Sequence, residues 1–123
     1  MSNKSPIFKK ISNADVDTLE DIVTIDVQGR STALIVITVA TADLTAFSVQ
    51  GKAHPDGTAV VLASAAGDFT TPNYPILAAS GDLTVAAAAA THWAIIDITG
   101  LHTLIIQAAG TSSVVTGEIH ADS

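Results

Sequence analysis

Apolar and polar residues alternate along short segments of the chain, with the period of two that is typical of β-strands. In residues 22–28 (IVTIDVQ), every second residue from Val23 onward is Val or Ile. Residues 44–53 alternate in the same way, whereas residues 33–39 (ALIVITV) are apolar on both faces. A strand of that kind lies in the centre of a fold or is covered on its second face by another subunit.

Turn residues separate these segments. Residues 54–57 (HPDG) give the strongest signal, because proline presets φ, aspartate bonds its own backbone and glycine accepts a positive φ. Residues 64–81 are predicted to form a long connection that Phe69 and Tyr74 hold against the core. Further strands are predicted at residues 58–63, 83–85, 93–98, 102–108 and 113–120.

Residues 23–53 are echoed by residues 94–121, which indicates one three-stranded unit used twice. The pair Asp26 and Gly29 recurs as Asp97 and Gly100. After the glycine, the second copy is aligned with one residue fewer than the first. Ile35 then matches Ile105, Leu44 matches Val114 and Val49 matches Ile119. Two such units and the strands between them predict an all-β fold of about eight strands, an antiparallel, jelly-roll-like β-sandwich.

This alignment divides the strand at residues 33–39 into two faces. Leu34 and Val36 match Leu104 and Ile106, so their face is predicted to be core. On the other face Ile37 matches a glutamine, and a face that accepts glutamine need not be sealed inside the fold. Ile35 and Ile37 are therefore candidates for a subunit interface, unless the first copy is simply the more central strand.

The two matching aspartates, Asp26 and Asp97, stand at equivalent strand positions. A carboxylate repeated in both units indicates a structural role, such as accepting hydrogen bonds from turn amides near Gly29 and Gly100.

The composition predicts a protein surface with few charged residues. The chain has 123 residues, which suits one domain, and only 14% of them are charged while 48% are hydrophobic. Such a surface is easily desolvated, as in a protein packed against copies of itself or a partner. A stable β-domain with a neutral surface is the alternative.

Charge is divided unevenly along the chain. The net charge is −7, yet three of the five basic residues lie within the first ten positions. We therefore predict an N-terminal arm over residues 1–12 and a single sandwich domain over residues 13–123. The candidate contact residues of the arm are Lys4, Phe8, Lys9 and Lys10. A frayed terminus with solvated lysines is the alternative.

The sequence also argues against nucleic-acid binding, membrane association, cofactor binding and catalysis. The acidic body presents no basic stripe to nucleic acid. No signal peptide is evident and residues 33–42 are too short to span a bilayer, so synthesis in the cytoplasm and no membrane association are expected. The four histidines lack metal-site spacing and no catalytic motif occurs, so we expect no cofactor and no enzyme activity.

The runs IDVQGR, LTAFSVQGKAHPDG, DFTTPNYP and WAIIDITGLHTL resemble small β-sandwich proteins encoded in the structural gene clusters of tailed phages and prophages. The resemblance covers most of residues 22–110. It implies a virion protein of the capsid decoration, or cement, type. Such proteins often form homotrimers on the capsid surface and clamp neighbouring major capsid subunits.

The resemblance and the residues together lead to one expected function and one alternative. The expected function is a non-enzymatic decoration protein that stabilises the shell and contacts it through the N-terminal arm. The alternative is a lectin-like or receptor-binding sandwich of a head fibre or tail, with Trp93 or Tyr74 stacking on a ligand.

Overall fold

The computed structural model describes residues 6–16, 19–41, 43–64, 69, 74–80, 90–110 and 113–122, with the backbone alone at residues 12–16. Nine strands are present in this part of the chain. They are β1 (Ile7–Val16), β2 (Glu20–Asp26), β3 (Thr32–Ala40), β4 (Leu44–Lys52), β5 (Val60–Ser64), β6 (Ile76–Ala79), β7 (Ala90–Asp97), β8 (Thr103–Gly110) and β9 (Ser113–Asp122).

The strands form two antiparallel sheets that pack as a sandwich. The five-stranded sheet has the order β1-β9-β3-β7-β6, and the four-stranded sheet has the order β2-β8-β4-β5. This architecture confirms the predicted all-β antiparallel sandwich. The predicted strand at residues 83–85 lies outside the described residues.

Two strands were not predicted, and both lie at an edge of the five-stranded sheet. Strand β6 occupies four residues of the segment predicted to be a connection, directly after Pro75. Strand β1 pairs with β9 from Ile7 onward, so the boundary predicted at residue 12 falls inside a strand. From Ile7 onward the predicted arm is therefore corrected to an edge strand. Among the described side chains, each of these strands has one buried core residue, Ile11 in β1 and Ile76 in β6, which is too few to show alternation.

The duplicated units interlock. The first unit is β2-β3-β4 and the second is β7-β8-β9, and each unit contributes strands to both sheets. Strand β3 lies between β7 and β9, while β8 lies between β2 and β4. Each central strand therefore receives its hydrogen-bonded neighbours from the other unit.

The strand registers correct the alignment of the two units. Thr32 pairs with Asp97 and Thr103 pairs with Asp26, so Thr32 is the structural equivalent of Thr103. Ile35 then corresponds to Ile106, and no residue is missing beyond the glycine.

The extra residue of the first unit lies in β4 instead. The register of β4 against β8 shifts between Leu44 and Ala46, which marks a β-bulge there. On the far side of the bulge the predicted match of Val49 with Ile119 holds, because their partners, Ile106 and Ile35, are equivalent.

A register error of one residue moves a side chain to the opposite face of a sheet. Ile35 and Ile37 are 1% and 0% exposed and belong to the core between the sheets, so their prediction as a subunit interface is wrong. Leu34 and Val36, predicted to be core, lie half-buried on the outer face of β3.

The core also anchors part of the long connection between β5 and β6. Phe69 is buried and meets Phe47 edge-on, with ring centroids 5.6 Å apart. Tyr74, which was predicted to share this anchoring role, is instead 73% exposed. One aromatic ring, not two, holds this connection against the core.

The two faces of β3 can be distinguished by how far the free energy of unfolding falls when a side chain on each face is replaced by alanine. We expect Ile35→Ala to lower the free energy of unfolding by about 2–5 kcal/mol, because it leaves a cavity between the sheets. Leu34→Ala, on the outer face, should cost less than about 1 kcal/mol in dilute protein. Urea unfolding followed by Trp93 fluorescence measures both values. A larger loss for Leu34→Ala than for Ile35→Ala would contradict the observed register.

Candidate functional site

The outer face of the five-stranded sheet carries neighbouring apolar side chains. One row crosses four strands and contains Phe8, His120, Leu34 and Ile95. The next row contains Lys10, Glu118, Val36 and Trp93. We call these eight residues the outer patch.

Both aromatic members of the outer patch are accessible. Phe8 is 54% exposed and Trp93 is 39% exposed, while Leu34, Val36 and Ile95 are half-buried. The patch therefore offers a continuous surface of rings and aliphatic side chains. Surfaces of this kind in soluble proteins mark contact sites.

The polar members of the outer patch balance one another. The ring of His120 packs against Phe8 at an interplanar angle of 57° with centroids 4.9 Å apart, and its Nε2 lies 2.7 Å from Oε2 of Glu118. Lys10 stands directly opposite Glu118 on the neighbouring strand. The patch thus holds one basic and one acidic residue side by side, together with a histidine.

Polar rows border the patch at both ends. On one side Oγ1 of Thr38 lies 2.9 Å from Oγ1 of Thr91. On the other side Thr32 is flanked by Asp97 and Asp122. An apolar centre with a polar rim is the usual composition of a protein interface.

The outer face of the four-stranded sheet contains positions that are equivalent, through the duplication, to those of the outer patch. The duplication places Gln107 at the position of Val36 and Thr24 at the position of Ile95. Nε2 of Gln107 donates to Asp21 over 2.7 Å, and Nε2 of Gln50 donates to Oε1 of Gln107 over 2.7 Å. The four-stranded sheet is therefore polar at the positions of Val36 and Ile95, whereas the position of Leu34 is occupied by another apolar residue, Ile105.

The predicted contact residues are distributed around this patch. Phe8 and Lys10 belong to it, whereas Lys9 is exposed on the other side of β1. Lys4 lies outside the described residues. Leu34 and Val36 were missed as surface residues because the units were aligned one residue out of register; with the observed register, the match of Val36 with Gln107 would have identified them.

The two predicted ligand-stacking residues are not brought together. Trp93 lies beside Ser80, just beyond the end of β6, because its backbone N–H donates a hydrogen bond to the Ser80 hydroxyl oxygen over 3.0 Å. Tyr74 precedes Ile76, at the start of the same strand. The length of β6 therefore separates the two rings, and they do not form one platform.

The two repeated turns meet at one end of the sandwich. Oδ1 of Asp26 accepts a hydrogen bond from the amide of Gln28, and Oδ1 of Asp97 accepts one from the amide of Thr99, each over 2.9 Å. These bonds confirm the structural role predicted for both aspartates. The glycine that ends each turn has a positive φ, 84° at Gly29 and 87° at Gly100, which a side chain would strain.

A concavity of 430 Å³ lies between these turns, with Arg30 and His102 in its wall. Nη1 of Arg30 donates to the carbonyl oxygen of Gln28 over 3.1 Å, and Nε2 of His102 lies 3.8 Å from Oδ2 of Asp26. The side chains of Arg30 and His102 therefore contact residues of the turns. The concavity is the boundary between the two units.

The described residues hold neither a metal-binding cluster nor a membrane-spanning helix. No group of three or more His, Cys, Asp or Glu residues among them is arranged to hold a metal ion. Within the same residues no helix is long and apolar enough to cross a membrane.

The fold is similar to that of a prophage protein. The crystal structure of the SPBc2 prophage-derived protein YomS matches with a TM-score of 0.58 and 9% sequence identity, over 99% of each chain. At this identity the likeness concerns the fold alone. No family model matches the chain, and no curated protein matches it by sequence.

The turn carboxylate predicts a pH dependence. Hydrogen bonds from the backbone and side chain of Thr99 lower the pKa of Asp97 below its ordinary value of 3.8. A lowered pKa stabilises the fold above the ordinary value, and this contribution is lost as the pH falls through the folded-state pKa. We expect Asp97→Asn to melt below the wild type at pH 6, and the difference to close at acid pH. Melting temperatures measured between pH 2 and pH 6 test this.

Asp56→Asn, in the exposed turn between β4 and β5, provides the matched control and should give a difference that does not follow this profile. A difference for Asp97→Asn that is the same at every pH would contradict the role of the charged carboxylate.

Proposed function

We propose that this protein is a non-enzymatic phage structural protein that binds the capsid exterior as a decoration protein and stabilises the shell. Its partners are the major capsid protein and further copies of itself, a homotrimer being the form that the resemblance implies. It is made in the host cytoplasm and resides on the capsid surface. The prophage origin of the structural neighbour supports the assignment to phage.

The observation that carries the proposal is the composition of β1. This edge strand presents Phe8, Lys9 and Lys10, all exposed, in a chain whose net charge is −7. Among the described strands β1 has a hydrogen-bonded neighbour on one side, β9, so its other side is open. The strand thus combines positive charge, an aromatic ring and unpaired backbone groups at one accessible edge.

Such an edge suits weak contacts repeated over a lattice. Exposed lysines attract an acidic surface, although each contributes little alone because water and salt screen it. An oligomer that binds through several copies of β1 adds these contacts, since the later ones form at a high effective concentration. Clamping neighbouring capsid subunits in this way would resist their separation.

The exposure of Trp93 supports one competing function, a lectin-like or receptor-binding module. A tryptophan that is 39% exposed on a flat sheet can stack on a sugar ring. Glycan binding that Trp93→Ala abolishes, with the fold intact, would favour this alternative.

The charges of β1 give the direct test of decoration. We expect the double variant Lys9→Gln/Lys10→Gln to bind capsids at least about tenfold more weakly, because the attraction to an acidic shell is removed. Co-sedimentation with capsids prepared without the protein measures the affinity. The control Lys52→Gln alters a lysine of the four-stranded sheet and should bind as the wild type does. Unchanged binding of the double variant would refute β1 as the contact, and a wild type that fails to bind would refute decoration.

A further inference from the structure

We propose that copies of this chain join through the outer patch. The inference deepens the self-association of the proposed function by naming a surface through which two copies pair face to face; such a pair is a dimer, not the homotrimer that the resemblance implies. Self-association in solution does not require a capsid, so the two can be tested separately.

The duplication provides the first argument. Positions equivalent to Val36 and Ile95 are occupied by Gln107 and Thr24 in the four-stranded sheet, on the same backbone arrangement. The fold therefore accepts polar residues at these positions. Apolar side chains at Val36 and Ile95 are therefore not needed to build the sandwich, and their place on the surface indicates a contact outside the single chain.

The charge of the patch favours a second copy as the occupant. With a net charge of −7, two chains repel each other over most approaches. Within the outer patch this repulsion is small, because Lys10 stands opposite Glu118 and no excess of either sign results there; the acidic residues Asp97 and Asp122 lie at its border. A patch with one adjacent charge of each sign is complementary to another copy of itself, whereas a strongly charged partner would gain nothing from it.

The available area is sufficient. The whole outer face of the five-stranded sheet, of which the outer patch is a part, is five strands wide at about 4.8 Å per strand and about 23 Å long, which gives about 550 Å². Two such faces would bury about 1,100 Å² in total, which exceeds the ~1,000 Å² that separates specific interfaces from incidental contacts. Phe8 and Trp93, the exposed rings, are the residue types enriched in the buried centres of interfaces.

The inference also explains the sequence pattern that first indicated an interface. Strand β3 is apolar on both faces, and its inward residues, Ile35 and Ile37, are used by the core. The outward residues, Leu34 and Val36, are the ones left for a second subunit. The observed register therefore moves the predicted interface to the other face of the same strand.

The test transfers the polar residues of one sheet to the other. The double variant Val36→Gln/Ile95→Thr introduces the residues that stand at the equivalent positions, so the fold should accept it. We expect the wild type to be an oligomer at micromolar concentration, and the variant to raise the dissociation constant at least about tenfold. Light scattering and sedimentation velocity between about 1 and 100 µM measure the masses.

Val61→Gln is the matched control, because Val61 is 58% exposed and faces outward on the four-stranded sheet beside Gln50. It should leave the mass unchanged. Far-ultraviolet circular dichroism and the melting temperature of the diluted proteins show that each variant is folded. If the double variant does not fold, Leu34→Thr alone replaces it, since Thr is a strong strand former.

A wild type that is monomeric up to about 100 µM, or a folded double variant that keeps the wild-type mass, would overturn the inference. A monomeric wild type that nevertheless binds capsids would assign the patch to another partner and leave decoration standing. An oligomer that dissociates in the double variant but never binds capsids would support the inference and refute decoration.

Discussion

The structure depends on the hydrogen bonding of β3 and β8 between strands of the opposite unit. Strand β3 pairs with β7 and β9, and β8 pairs with β2 and β4. Because a strand needs a partner on each side to satisfy its buried backbone groups, neither unit can complete its own sheet. The hydrogen bonds that Asp26 and Asp97 accept, together with the glycines of positive φ, form the same turn at the matching place in each unit.

Once the backbone is fixed by this exchange, the outer faces are free to differ. The outer face of the four-stranded sheet carries a network of hydrogen-bonded polar side chains centred on Gln107. The five-stranded sheet carries the outer patch, which includes Trp93 and Phe8. The polar side chains of the four-stranded sheet find their hydrogen-bond partners within one chain, whereas the aromatic rings of the outer patch remain accessible to solvent.

The distribution of charge separates two roles on the same sheet. The centre of the patch is electrically balanced, which suits contact between identical chains that repel each other elsewhere. Strand β1, at the edge, carries the lysines, which suit a partner of opposite charge. Under the two proposals, β1 would lie at the boundary between self-association and attachment to a shell, and Lys10 would belong to both surfaces.

The sequence by itself determined the class of fold, most of the strands, the duplication and the function of the repeated aspartates. These follow from local patterns, namely the period of two and the turn residues that recur at Gly29 and Gly100. Only the tertiary structure decided which face of β3 is core, because register is set by the neighbouring strands and a bulge in β4 displaces the match by one residue. For the same reason the edge strands β1 and β6 and the outer patch were not predictable, since pairing, rather than local pattern, creates them.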